Sequence, residues 1–310
     1  MTPKSLLPLA LLALVACSRN NETITSVINP PPAGRLTAFV ELDTTRTAPR
    51  DTIAKGSISW DAQGRSSLYT YTRWDRNTGD SAFWQQLRYN YGSPSDSLAT
   101  GFLDRNRIIN SGNLSIDREY FLTWNNGRLA LDTTTINQYG FSDRFSAGRG
   151  NSVYYERRAR PLPAPASYPI AAFDFFYQTW NGDDLTLQVD TLHYPTGPSG
   201  FQVQNDRTTV SSVYLSGYNP FYDIARPIYR HSLMENFALD FLRSAPRHLV
   251  QERTVTLDQW TSFQSPGTVT STSNVYRYHY VNNAAGQPVR ITELVTGATP
   301  RHRVLLLQYQ

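Results

Sequence analysis

The chain has a single cysteine, Cys17, so no internal disulfide can form whatever the redox state of its compartment. Without a second thiolate, a cysteine-based zinc site is excluded as well. The five histidines, His193, His231, His248, His279 and His302, show no ligand spacing such as His-x-x-x-His. Charged residues are few, at 17%, and Glu, Lys and Ala, which fill helices, are sparse. The one long apolar run, residues 6–15, is half the length of about 20 residues that a membrane-spanning helix needs. There is no Gly-x-Ser-x-Gly elbow and no phosphate-cradling glycine loop. The pI of 9.1 suggests nucleic acid, but the arginines are scattered among aspartates and form no basic stripe, which argues against such a partner. Asp75-Arg76-Asn77-Thr78-Gly79-Asp80 opens like a calcium loop, yet its glycine comes one residue early and Gln86 stands where a bidentate Glu belongs. A hairpin turn explains it better. No catalytic residue, metal ligand or cofactor is nominated.

What is present begins with an address. Lys4 gives a positive start, residues 6–15 an apolar segment, and Leu14-Val15-Ala16-Cys17 a close that resembles a lipobox. The resemblance implies that residues 1–16 are a signal peptide, that Cys17 is acylated, and that membrane attachment runs through it. Ser18 rather than Asp follows the cysteine, which by resemblance to lipoprotein sorting rules implies the outer membrane, with the periplasmic or cell-surface face left open. Residues 17–35 are polar and end in Pro30-Pro31-Pro32-Ala33-Gly34, a tether extended at its prolines.

From Leu36 the pattern has period two. Leu36, Ala38, Val40 and Leu42 fall on one face of a strand. Phe83, Leu87, Tyr89 and Tyr91 share a face, with Trp84, Gln86 and Arg88 opposite. Tyr276, Tyr278 and Tyr280 alternate with Arg277 and His279. Val304 and Leu306 alternate with Leu305 and Leu307, so that last strand is apolar on both faces. A punctuation recurs: Trp60-Asp61-Ala62-Gln63-Gly64-Arg65, Trp124-Asn125-Asn126-Gly127-Arg128, Trp180-Asn181-Gly182-Asp183, and Tyr280 followed by Asn282 to Gln287. In each an aromatic residue precedes Asp or Asn and then Gly, the chemistry of hairpin turns.

These units resemble the YD repeat of RHS-type proteins, with Trp often replacing Tyr. The layout resembles uncharacterised Bacteroidota-type lipoproteins, a domain-of-unknown-function group with YD-like β-meanders. Tyr218-Asn219-Pro220-Phe221-Tyr222, a short helical insert, Ser244-Ala245-Pro246-Arg247-His248-Leu249 and the turn at Asn283 to Gly286 carry that likeness. It implies an all-β fold, an antiparallel hairpin meander forming a large twisted sheet or curling toward an open barrel, and it implies no activity. Whether the sheet closes stays open.

One helix is expected, at about residues 223–243, with Met234, Phe237, Ala238, Phe241 and Leu242 on its apolar face and Pro246 as its stop. It reads as a plug on one end or face of the sheet, with a lid as the alternative. A proline-rich stretch at 158–169 either links two β-domains or crosses between halves of one sheet, the crossing being favoured within a single domain over 36–310.

The functional reading is an outer-membrane-anchored lipoprotein with a non-enzymatic binding or scaffolding role, its partner an envelope protein or a glycan. The alternative is a glycan-binding lipoprotein using Trp74 and Trp84, since exposed aromatics on a sheet can stack on sugar rings. Asp followed by Ser or Thr recurs before an apolar residue or Thr at Thr44, Thr52, Ser81, Ser97, Thr133 and Thr191. This resembles the O-glycosylation sequon of exported Bacteroidota proteins. Thr52 and Ser97 are the expected modified sites, whereas Thr191 is expected to be protected inside a strand.

Overall fold

The computed structural model describes residues 34–44, 52–75, 78–108, 114–136, 139–147, 152–161, 175–196, 202–228, 239, 246–261, 269–298 and 300–310. Residues 1–33, which hold the expected signal peptide, Cys17 and most of the expected tether, lie outside these residues. Among the described residues, sixteen strands follow one another: β1 (Leu36–Asp43), β2 (Thr52–Trp60), β3 (Ser66–Trp74), β4 (Ser81–Asn90), β5 (Gly101–Ile108), β6 (Leu114–Asn125), β7 (Arg128–Ile136) and β8 (Tyr139–Ala147). They continue with β9 (Ser152–Pro161), β10 (Phe175–Asn181), β11 (Asp184–Thr196), β12 (Gln202–Tyr218), β13 (His248–Thr261), β14 (Thr270–Asn282), β15 (Pro288–Gly297) and β16 (Arg301–Tyr309).

Each strand pairs antiparallel with its neighbours in sequence, the all-β meander expected from the alternation. The curl goes to completion. β16 pairs with β1, placing Phe39 opposite Leu307 and Glu41 opposite Leu305, and the sheet is a closed barrel with no free edge. Around the proline-rich stretch, β9 pairs with β10, Tyr155 opposite Phe176, and residues 162–174 between them lie outside the described residues.

Alternation sets inside and outside. In β4, Gln85, Leu87 and Tyr89 are buried inward, while Arg88 and Asn90 are exposed outward. In β1 a register shift between Leu36 and Ala38 splits the expected apolar face. Leu36 stays in the core, Phe39 and Glu41 turn inward, and Ala38, Val40 and Leu42 sit half-buried on the outer wall. Gly56 in β2 lets this happen, since a Cβ there would stand 2.1 Å from the Phe39 ring.

The aromatic-turn units all fall on one rim, where the chain enters at Gly34 and ends at Gln310. Arg35 and Gln310 exchange backbone hydrogen bonds of 3.0 Å, and Gln287 Nε2 donates to Gly34 O at 2.8 Å. In the first unit, Asp61 Oδ1 accepts from the backbone N–H of Gln63 and Arg65. In the last, Asn283 Oδ1 accepts from Ala285 and Gln287 in the same way. Gly64 and Gly286 supply the positive φ, at 77° and 78°. The aromatic residues close the rim by donating their polar tips to neighbouring carbonyls. Trp60 Nε1 donates to Leu36 O, Trp124 Nε1 to Ala99 O, Tyr280 Oη to Val250 O and Tyr309 Oη to Pro288 O, at 2.6 to 3.0 Å.

A plug fills this end. Residues 219–228 turn into the barrel mouth around the helix α1 (Tyr222–Ala225), with Phe221, Ile224 and Ile228 fully buried. Phe221 packs edge-on against Phe39, centroids 5.6 Å apart, and Tyr89 Oη donates to Ile224 O at 2.8 Å. Asn219 clamps the segment: its Nδ2 donates to Pro246 O at 2.9 Å and its Oδ1 accepts from Phe221 N at 3.1 Å. The segment is a plug at one end, but α1 stops at Ala225: residues 226–228 are a turn and Leu239 a bend, so the single helix expected at about 223–243 is broken. Met234, Phe237, Ala238, Phe241 and Leu242 lie outside the described residues, although Leu239 is buried.

Candidate functional site

Three places gather polar chemistry: the middle of the barrel, a hollow beside the plug, and the outer wall. In the middle, Arg303 lies between two carboxylates. Its guanidinium donates to Glu41 Oε1 at 3.2 Å and to Glu293 Oε2 at 3.0 Å, and its Nε stands 2.7 Å from Glu293 Oε1. Burial alone would pull Arg303 down, but Glu293 and then Glu41 outweigh it and hold its pKa above the ordinary arginine range. Tyr278, opposite Glu293 on β14, is pushed up by burial.

A second buried carboxylate lies on β5. Asp104 accepts from Gln85 Nε2 at 3.1 Å and from Asn106 Nδ2 at 3.4 Å, and faces Arg118 on β6. Burial raises its pKa from 3.8 to about 6, against the opposing pull of the Gln85 hydrogen bond and of Arg118. Glu41, Glu293 and Asp104 are 5%, 1% and 1% exposed. A general acid or base must reach its substrate, and these carboxylates are spent on partners inside a sealed wall. They hold strands together.

A small hollow beside the plug is lined by Arg35, Trp60, Tyr218, Asp223, Gln287 and Tyr309 among others. Its polar groups are already used. Gln287 is bound to Gly34 and Asn283, Trp60 and Tyr309 tie the rim, and Asp223, whose pKa burial raises, is bonded by Tyr218. It is a seam between plug and wall.

The outer wall carries the residues singled out in the sequence. Trp74 and Trp84 both lie half-exposed on it, at the end away from the plug. Each has a cation as its neighbour: the Lys55 ammonium is 5.9 Å from the Trp74 ring centroid, and the Arg107 guanidinium 5.9 Å from that of Trp84. Sequence reasoning found the two indoles and missed the two cations. The register that aligns them follows from the pairing of β2 to β5, not from proximity along the chain. The turn between Trp74 and Ser81 is a hairpin, as expected, with Asp75 Oδ1 accepting from Thr78 N and Gly79 at φ 75°.

The six Asp-Ser/Thr hydroxyls do not form one group. Ser97 is exposed in the loop after β4, and Thr44 is exposed just past β1, where its Oγ1 meets His302 Nδ1. Thr52 and Ser81 open strands and are half-buried, and Thr191 lies within β11 opposite Arg207. Thr133 lies in β7 opposite Phe121, its side chain outside the described residues. Cys17 is likewise outside.

Elsewhere the outer wall mixes exposed apolar side chains, Phe121, Val213, Leu294 and Leu306 among them, with mid-strand ion pairs. Arg105 pairs with Asp117 at 3.3 Å, Arg207 with Asp258 at 2.7 Å and Arg277 with Glu252 at 3.0 Å, joining β5 to β6, β12 to β13 and β13 to β14. Among the described residues no helix is long and apolar enough to cross a membrane.

The chain matches no family model and no curated protein. In fold it is similar to a porin-like protein from Bacteroides vulgatus ATCC 8482, with a TM-score of 0.47 at 12% identity over 89% of this chain and 99% of that one. It is also similar to a porin-like protein from Bacteroides uniformis ATCC 8492, with a TM-score of 0.42 at 9% identity over 89% of this chain and 98% of that one.

Proposed function

We propose that the protein is an outer-membrane lipoprotein whose barrel stands in water, held by acylated Cys17, and acts by binding or scaffolding at its surface. It neither conducts a solute nor catalyses a reaction. One observation carries this reading: charged side chains project from the outer wall in the middle of strands. A transmembrane barrel presents an apolar band to lipid, and each Arg or Lys at the bilayer midplane costs about 2–4 kcal/mol. Lys55, Arg105 and Arg277 alone would remove about 6–12 kcal/mol, comparable with the whole stability of a domain. The plug supports the same reading from inside, since Phe221, Ile224 and Ile228 occupy the mouth that a channel would need open.

A barrel with such a wall has no affinity of its own for the hydrocarbon core, so attachment falls to the acyl chains. The test is fractionation of Cys17→Ser in the native host. The variant is expected in the soluble envelope fraction, with the unsubstituted protein in the membrane fraction. A Cys17→Ser protein that still requires detergent for extraction would overturn the proposal.

A further inference from the structure

The outer wall over β2–β5 is organised in rows set by strand register. Lys55 stands opposite Thr72, Thr72 opposite Trp84, and Trp84 opposite Arg107. Across four strands this row reads cation, hydroxyl, indole, cation, and spans about 14 Å at the usual strand spacing. Trp74 lies diagonally beside it with its ring against Lys55. The next row reads Ser57, Thr70, Gln86 and Arg105, with Ser57 Oγ and Thr70 Oγ1 2.6 Å apart.

This face carries two cations set against indoles. Arg105, Arg207 and Arg277 are matched by carboxylates on adjacent strands. Lys55 and Arg107 are exposed, and among the described residues neither has a carboxylate partner; each rests against an indole instead. Two indoles with an uncompensated cation on each offer apolar area for a ring and a counter-charge within reach of it. Hydroxyls and the Gln86 amide supply hydrogen-bond groups between them.

We propose that this face binds an acidic polysaccharide, its sugar rings lying on Trp74 and Trp84 and its carboxylates paired with Lys55 and Arg107. The proposal deepens the surface-binding reading and rests on the barrel wall being in water. Spacing favours this polymer over nucleic acid. Duplex DNA carries a negative charge every 1.7 Å or so and calls for a denser cation array than Lys55 and Arg107, which stand at opposite ends of the row. A neutral glycan would leave both cations unused.

The test uses the purified full-length protein with polygalacturonate as the probe, dextran as the neutral control and oligo(dT) as the nucleic-acid control. Polygalacturonate is expected to retard the protein in affinity electrophoresis, increasingly as ionic strength falls, with dextran and oligo(dT) much weaker. Trp84→Ala and Arg107→Gln should each weaken retention about tenfold while leaving the melting temperature in place, because both side chains are on the outer wall. Lys55 is one of two lysines in the chain, Lys4 being the other. Amine-selective acetylation read by mass spectrometry therefore reports the site directly, and polygalacturonate should slow modification of Lys55. Absence of retention, equal retention by dextran, tighter retention by oligo(dT), or Lys55 modified at the same rate with and without the polymer would each overturn the proposal. Release of Cys17→Ser from the membrane is a separate readout, so failure here with release intact sinks the polysaccharide and not the anchored, water-facing barrel.

Discussion

Arg303 and Asp104 are the residues on which the barrel's interior most depends, and they respond to different perturbations. Removing the guanidinium would leave Glu41 buried without a counter-ion and Glu293 with Arg301 alone, 3.3 Å away and partly exposed. Arg303→Met is expected to destabilise the protein by about 3–5 kcal/mol in urea unfolding, and adding Glu41→Gln and Glu293→Gln to restore most of that loss. Asp104 is a pH sensor of folding. Its folded pKa, about 6, is above the ordinary 3.8, so the folded state binds its proton more tightly than the unfolded state does. The contribution to stability is full below pH 4 or so and is lost as pH rises through about 6, by about 3 kcal/mol at most. Asp104→Asn should therefore gain stability relative to the unsubstituted protein between pH 4 and 7; parallel melting curves across that range would refute it. None of this was legible from alternation, which sorts residues into two faces and is blind to which polar residue turns inward. Gln85 and Asp104 occupy core positions that a hydrophobicity pattern assigns to apolar side chains. Glu41 joined the inner face through a bulge that the sequence does not advertise.

At the scale of elements the sequence was far more readable. An aromatic residue, Asp or Asn, and Gly mark turns at 61–65, 125–128, 181–184 and 283–287, and the structure places all four on one rim because every second connection of an up-and-down barrel lies there. What writes the turns is local and so survives in sequence: an Asx oxygen capping two backbone N–H groups at Asp61 and Asn283, and positive φ at Asn126, Gly127 and Gly182. The second duty of Trp60, Trp124 and Tyr280, donating to a carbonyl of another segment, is not local and could not be read. The plug shows the same division. Tyr218-Asn219-Pro220-Phe221 announced a break in the strand pattern, but Asn219's bonds reach Pro246, 27 residues on. Asn219→Ala would strand the Phe221 N–H and the Pro246 carbonyl in a buried site, a loss of about 2–4 kcal/mol. Amide exchange in residues 221–228 should accelerate more than in β14–β16; uniform acceleration throughout the barrel would show that the plug is not a separable unit.

For the whole molecule, strand content and order followed from alternation and turns, whereas closure did not. Val304 to Leu307, apolar on both faces, indicated a strand flanked on both sides without naming its partner. That partner is β1, separated from it by more than 250 residues, and nothing local encodes such a pairing. The pairing of charges on the wall was similarly hidden. Outward arginines read as ordinary solvent-facing positions until the register showed which were neutralised by a neighbouring strand and which were not.

That the first and last strands complete the wall also fixes the order of events in assembly. Synthesis proceeds from the amino terminus, so β1 is available throughout, yet it must wait for residues 301–309 before its second edge is satisfied. Until then the chain carries two open edges, and one of them, β1, is apolar on its outer side at Val40 and Leu42. Such an intermediate is slow to resolve and prone to associate with its own kind. A chain truncated after Pro300 keeps fifteen strands and the plug, yet is expected to accumulate as aggregate on expression, and a soluble monomeric product would contradict this.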